Sequence, residues 1–180
     1  VKHYAEQGLD VVTVNPTVIV GEYDIHMTFG YIFKIAKKLG GIPIYPPFGS
    51  NFVDVQDVAK GHILAMEKGK AGERYILGGE NLKFKEVVRM VNELVGCGNR
   101  MVLPLPKASG AIIGRLAGFV SRIVGERHRH ISEPSIREMF VDSYASSSKA
   151  EGELGYKPSP VRAAFERCYR WLEDNGFLAQ

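Results

Sequence analysis

The residues of this 180-residue chain whose types and spacing could do chemistry lie just after the run Val11-Val12-Thr13-Val14, which ends in Asn15-Pro16-Thr17. A turn of this kind at the C-terminal edge of an α/β sheet is a place where ligands are held. Asn15 can offer an amide to a substrate or cofactor, Pro16 fixes the backbone, and Thr17 and Thr28 offer hydroxyls. The backbone of Val18 and Ile19 could hold a planar amide. An Asn-Pro-Thr turn can equally satisfy its own polar groups, and the residues alone leave both readings open.

Other chemistry-bearing patterns are absent from the sequence: no GxGxxG or Walker loop, no HExxH, no paired-cysteine ligand set and no serine nucleophile elbow. Gly40-Gly41 and Gly78-Gly79 read as stops and turns. His128 and His130 have only Glu126 and Glu133 nearby, which argues against a metal site. Cys97 and Cys168 are far apart in unlike settings, so neither a disulfide nor a metal is expected, in keeping with a reducing compartment. Cys168 falls on the apolar face of a helix and reads as core filler. Asp54 and Asp57 read as helix-start residues, an N-cap and a capping-box partner, before they read as catalytic acids.

The elements that must position the turn follow from pattern. Lys2 to Gln7 reads as the end of a helix with Gly8 beyond it, and Leu9 to Val14 as a buried parallel strand that stops at Pro16. Thr17 to Met27 reads as a loop containing Gly21, Thr28 to Leu39 as a helix closed by Gly40-Gly41, and Ile42 to Phe48 as irregular extended chain. Phe52-Val53 is a short strand, and the helix after it carries an apolar stripe of Ala59, Ile63 and Met66, stopping at Gly69. Glu73 to Leu77 is a strand, Lys83 to Val95 an amphipathic helix and Val102-Leu103 an edge strand. Lys107 to Val124 reads as a Gly-interrupted helix and Lys149 to Leu154 as a short one. Ser159 is expected to cap the last helix, with Pro160 at its first position and Val161, Ala164, Phe165, Cys168 and Leu172 on its buried face.

With 23 basic and 20 acidic residues the net charge is +3, too small to imply a nucleic-acid partner. The stretch holding Lys107, Arg115, Arg122, Arg127, His128, Arg129 and His130 is distinctly basic. It reads first as a solvated face and second as a contact for an anionic ligand or partner. No apolar segment reaches membrane-spanning length uninterrupted, and no cleavable signal pattern opens the chain, so no membrane span and a cytoplasmic location are expected.

Four segments in order resemble the extended short-chain dehydrogenases/reductases. They are Leu9-Asp10-Val11-Val12-Thr13-Val14-Asn15-Pro16-Thr17 with Gly21; Asn51-Phe52-Val53-Asp54-Val55-Gln56-Asp57-Val58-Ala59-Lys60-Gly61-His62; Gly72-Glu73-Arg74-Tyr75-Ile76-Leu77-Gly78-Gly79; and Ser148-Lys149-Ala150-Glu151 with Glu153-Leu154-Gly155-Tyr156 and Pro158. The resemblance covers nearly the whole chain. It is strongest to the NAD-dependent epimerase/dehydratase group, particularly its dihydroflavonol-reductase-like and hopanoid-associated sugar epimerase-like members.

The resemblance implies an α/β fold: the C-terminal part of an NAD(P)-binding Rossmann-like fold with a small mixed α/β substrate-binding lid. Residues 1–80 would belong to the dinucleotide-binding domain, interleaved with substrate-domain segments, and residues 81–180 mainly to the lid and C-terminal helices. It implies NAD or NADP as cofactor, with Pro16, Thr17, Val18 and Ile19 walling the nicotinamide, Thr28 touching the cofactor phosphates and Asn15 near the substrate. The family's Tyr-x-x-x-Lys pair would lie on the helix that ends at Lys2 to Gln7, with its lysine roughly two turns before Val1. Tyr4 is followed four residues later by Gly8, so it does not supply the pair, and no catalytic residue is assigned within the chain.

Three positions depart from the family pattern. Glu22 replaces a proline, Ser50 replaces an arginine that clamps a substrate diphosphate, and Lys83 replaces a helix-capping threonine. The expected function is part of an NAD(P)-dependent oxidoreductase or sugar epimerase that transfers hydride to or from a carbinol or ketone, inactive as an isolated chain. The alternative is a noncatalytic binding or structural protein that keeps the fold. Expected partners are a small-molecule substrate, a missing N-terminal half or covering polypeptide, and a possible homodimer mate.

Overall fold

A computed structural model of the chain describes residues 2–98, 101–106 and 141–179. The helix expected over Lys107 to Val124 and the basic stretch around Arg115 to His130 lie outside the described residues. Helix α1 (Lys2–Glu6) ends in a turn at Gly8, whose φ of 91° suits glycine. Strand β1 (Thr13–Pro16) then runs parallel to β5 (Arg74–Leu77), with Thr13 opposite Arg74 and Pro16 opposite Leu77.

Strand β1 begins four residues later than its apolar run, because its partner begins only at Arg74, after a turn in which Glu73 N–H donates to the Lys70 carbonyl. It is also not buried as expected: Thr13 and Val14 are half-buried, and Asn15 and Pro16 are exposed. The amides of Thr13 and Thr17 donate to the carbonyls of Glu73 and Leu77, so by the alternation of a parallel ladder Val14 and Pro16 face the opposite edge. Among the described residues nothing pairs with that edge. Pro16 therefore ends the strand without losing a ladder bond.

The expected loop after Pro16 contains a short strand, β2 (Val18–Val20), parallel to β4 (Gly49–Asp54). Three β-branched residues in a row form it once β4 supplies an edge. Strand β4 also pairs antiparallel with β6 (Glu80–Lys83), giving the order β2-β4-β6, and every residue of β4 is buried. Successive side chains of a strand alternate faces, so Phe52 enters one core with Phe33, Val87, Phe165 and Leu172, and Val53 a second core with Tyr75, Leu77, Leu154 and Tyr156. The short strand expected at Phe52-Val53 is the centre of the molecule. In the segment expected to be irregular, β3 (Ile44–Tyr45) pairs parallel with β7 (Leu103–Pro104).

Helix α2 (Tyr31–Leu39) closes at Gly40, and α3 (Val55–Lys68) starts at Asp54, whose side chain accepts from Gln56 N–H. The stripe expected on α3 faces outward: Ile63 and Met66 are 54% and 77% exposed, whereas Val58, Gly61 and Ala65 are buried. A Cβ at position 61 would lie 2.7 Å from a Leu77 methyl, so the small residues, not the large ones, mark the face on which helix meets sheet. Asp57 does not complete a capping box. Its Oδ2 accepts from Ser159 N–H at 2.6 Å and its Oδ1 from Lys60 Nζ at 3.2 Å, which ties α3 to the entrance of the last helix.

Helix α4 (Phe84–Leu94) buries Val87, Val88 and Val91, and Glu86 accepts from Lys83 N–H at 2.8 Å, which keeps half of a capping box. Helix α5 (Ser148–Leu154) ends at Gly155, and α6 (Val161–Asp174) buries Val161, Ala164, Phe165, Cys168 and Leu172 as expected. Ser159 does not cap α6 through its side chain; Pro160 is the N-cap residue. Among the described residues no helix is long and apolar enough to cross a membrane.

Candidate functional site

Strands β1 and β2 point their C-terminal ends toward the loop 21–29, and a cleft of about 540 Å³ opens there. Thr17, Val18, Ile19 and Thr28 line it, together with Gly21, Glu22, Tyr23, Asp24, Phe29 and Val55. Four of the five residues named from the family pattern as cofactor contacts thus share one cleft. Pro16 and Asn15 sit on the exposed end of β1 immediately before it and are not among its lining residues.

Each lining group arrives by a local cause. Gly21 lets the chain pass against the start of α3, where a Cβ would overlap the Val55 side chain. Strand β2 lies at the edge of its sheet, so alternate backbone groups of Val18 to Val20 have no ladder partner among the described residues. An edge strand with open amides and carbonyls beside an apolar cleft fits a planar carboxamide, which needs one donor and one acceptor in a plane. Thr17 is less free than its hydroxyl suggests, since its Oγ1 donates to Asn51 Oδ1 at 2.7 Å.

Asn51, which the sequence marks only as the first residue of a family-like segment, ties Thr17 of the cleft wall to the turn after β5 and to β6. Its Oδ1 also accepts from Gly79 N–H at 2.9 Å, and its Nδ2 donates to Asn81 Oδ1 at 2.7 Å and to the Gly79 carbonyl at 3.3 Å. The residue is 1% exposed. A side-chain amide directly before the apolar pair Phe52-Val53 is the available signal.

The loop itself is held by acids. Asp24 accepts from the backbone N–H groups of Thr28, Phe29 and Gly30 at 2.8, 2.9 and 2.7 Å, which delays the start of α2 to Tyr31. The amide of Thr28 is therefore occupied, and only its hydroxyl can meet a ligand. Glu22 meets Arg167 Nε at 2.9 Å, and Arg167 also pairs with Asp54, joining the loop, α3 and α6. Tyr23 and Met27 both have left-handed backbones, φ 67° and 53°, which non-glycine residues adopt at a cost. Tyr23 leans on Trp171, with ring centroids 5.5 Å apart.

The buried reactive groups elsewhere are poor nucleophiles. Burial pushes the Cys168 thiol up to about 12, and burial with the nearby charges of Asp57 and Asp54 raises the Tyr156 hydroxyl as well. Ser50 is 9% exposed, and its hydroxyl donates to the Ser143 carbonyl at 3.5 Å rather than being offered to a ligand.

No family model matches the chain. Individual relatives do. A Synechocystis sp. protein carrying the name dihydroflavonol 4-reductase is 31% identical over 184 residues, covering 97% of this chain and 51% of the relative. The crystal structure of a nucleoside-diphosphate-sugar epimerase from Pseudomonas aeruginosa superposes with a TM-score of 0.74 at 27% identity, over 98% of this chain and 52% of that one. A dTDP-glucose 4,6-dehydratase from Streptomyces venezuelae, solved with NAD bound, shares the fold with a TM-score of 0.66 at 21% identity, over 98% of this chain and 48% of that one. The chain thus spans about half the length of the relatives it matches, and both their names and the parallel strands feeding this cleft agree with the four sequence segments. By sequence and fold it is similar to the C-terminal portion of proteins named as dihydroflavonol reductases and of NAD-dependent epimerases/dehydratases.

Proposed function

We propose that this chain supplies the nicotinamide-side wall and the substrate cleft of an NAD(P)-dependent oxidoreductase or epimerase acting on a carbinol or ketone, and that it does not turn over alone. The single observation that carries this reading is the gathering of Thr17, Val18, Ile19 and Thr28 around one cleft at the C-terminal ends of β1 and β2. Nicotinamide, when bound, accepts or donates the hydride. Val18 and Ile19 would hold its carboxamide through open backbone groups, and Pro16 would keep that segment rigid. Thr28 would offer its hydroxyl to the cofactor, and Asn15, exposed at the strand end, would orient the substrate oxygen. Val18, Ile19, Phe29 and Val55 would give the bound nicotinamide apolar contact.

The edge of β1 supports the proposed dependence on further polypeptide. Val14 and Pro16 face an edge with no partner among the described residues, and Leu9, Tyr4 and Ile76 are 55%, 58% and 38% exposed. A strand edge flanked by exposed apolar side chains is a template for pairing with more chain. In this reading residues 1–80 complete a dinucleotide-binding domain and residues 81–180 are mainly substrate lid. The purified 180-residue chain is expected to show no oxidation or reduction of NAD(P)H or NAD(P)+ with a panel of ketones and alcohols. Steady turnover by the chain free of other polypeptides would overturn the proposal.

A further inference from the structure

Two acids, Glu22 and Asp24, line the cleft, and among the described residues that line it none is Lys, Arg or His. The α2 N-terminus beside it would ordinarily be the place for a phosphate, since its amides point outward and its dipole favours negative charge. Here that place is filled from within, because the Asp24 carboxylate takes the N–H groups of Thr28, Phe29 and Gly30. Glu22 adds a second acid whose Oε2 is buried with no hydrogen-bond partner among the described residues, and Arg167 is held by Glu22 and Asp54.

We infer that Asp24 is a specificity-determining residue: it closes the α2 N-terminus to substrate phosphate, so that the cleft takes an uncharged carbinol or ketone and rejects nucleotide-linked substrates. The inference rests on the proposed role of this cleft and goes beyond it by naming the substrate class. An incoming diphosphate would have to displace a carboxylate from three hydrogen bonds and then lie against Glu22. The rest of the wall, from Val18, Ile19, Phe29 and Val55 with the Tyr23 ring at the mouth, offers apolar contact that a neutral substrate can use and a phosphate cannot. The relative named as a nucleoside-diphosphate-sugar epimerase shares the fold, but substrate choice is set by the residues of the site.

The test uses the full-length protein encoded by the reading frame that contains this chain, first titrated with NADPH and NADH and then, saturated with cofactor, titrated with uridine diphosphate by calorimetry. The wild type is expected to bind cofactor and to give no saturable uridine diphosphate binding. Asp24→Gly, which empties the amides, is expected to give saturable uridine diphosphate binding at least about tenfold tighter than the weakest affinity the wild-type titration would have detected, the scale of removing one nearby like charge. Asp24→Asn keeps an oxygen for the amides and serves where the glycine variant is unfolded by circular dichroism; it is expected to shift the same way by a smaller factor. Saturable uridine diphosphate binding by the wild type overturns the inference, as does a folded Asp24 variant with no gain. Failure of the wild type to bind either nicotinamide cofactor would count against the proposed function instead, so the two failures are distinguishable.

Discussion

Asn51 shows how one side chain can fix a site without touching a ligand. Its amide satisfies Thr17, Gly79 and Asn81 at once, so the start of the cleft wall, the turn after β5 and strand β6 share one buried anchor. Replacing it with alanine leaves the Gly79 amide and the Asn81 side chain without those partners. Asn51→Ala is expected to cost roughly 2 to 3 kcal/mol in urea unfolding, at unchanged m-value. Cys168 makes the opposite case, a reactive residue type in an inert setting. Its pKa is pushed up to about 12 by burial, so at neutral pH it stays protonated in the folded state. A thiol reagent is expected to modify half-buried Cys97 while leaving Cys168 unmodified until denaturant is added. Equal labelling of both in the native state would contradict that packing. Cys168 as filler could be read from helical spacing alone, whereas the bonds of Asn51 join residues about 30 positions apart and no local pattern carries them.

Elements were legible where one face of a helix or strand decides its own burial. The last helix is the clearest instance, since Val161, Ala164, Phe165, Cys168 and Leu172 follow a 3.6-residue period and all are buried. Phe165 meets Phe29 with ring centroids 4.9 Å apart and Phe52 at 6.0 Å, linking α6, the cleft loop and β4. Phe165→Ala is expected to destabilise by about 3 to 5 kcal/mol, measured by chemical denaturation. Legibility failed on α3, where Ile63 and Met66 suggested the core face but Gly61 and Ala65 occupy it, because close helix–sheet approach favours small side chains over large ones. It failed again at β2, which forms only because β4 lies beside it. Gly21 belongs to this scale too: Gly21→Ala drives a methyl into Val55 and is expected to weaken cofactor binding in the full-length protein more than it lowers its Tm. A large loss of Tm with unchanged cofactor affinity would separate this contact from the site.

At the scale of the molecule, the family was legible because its four segments recur in order, and the cleft was legible only as a turn after a strand. The groups that hold its loop, the carboxylates of Glu22 and Asp24 and the cation of Arg167, come from a segment expected only to be a loop and from the last helix, and no local pattern joins them. The chain spans about half of its relatives, and the edge of β1 that has no partner among the described residues, together with exposed Leu9 and Tyr4, is in keeping with that fraction. In the proposed function, Val18, Ile19 and Thr28 hold a dinucleotide only together with further polypeptide that completes the site. The most direct measurement is NAD(P)H binding by calorimetry to the purified chain alone and to the full-length protein encoded by its reading frame. The expected result is no saturable binding by the chain alone and one dinucleotide bound per full-length protein. Saturable binding by the chain alone, with affinity equal to that of the full-length protein, would contradict it.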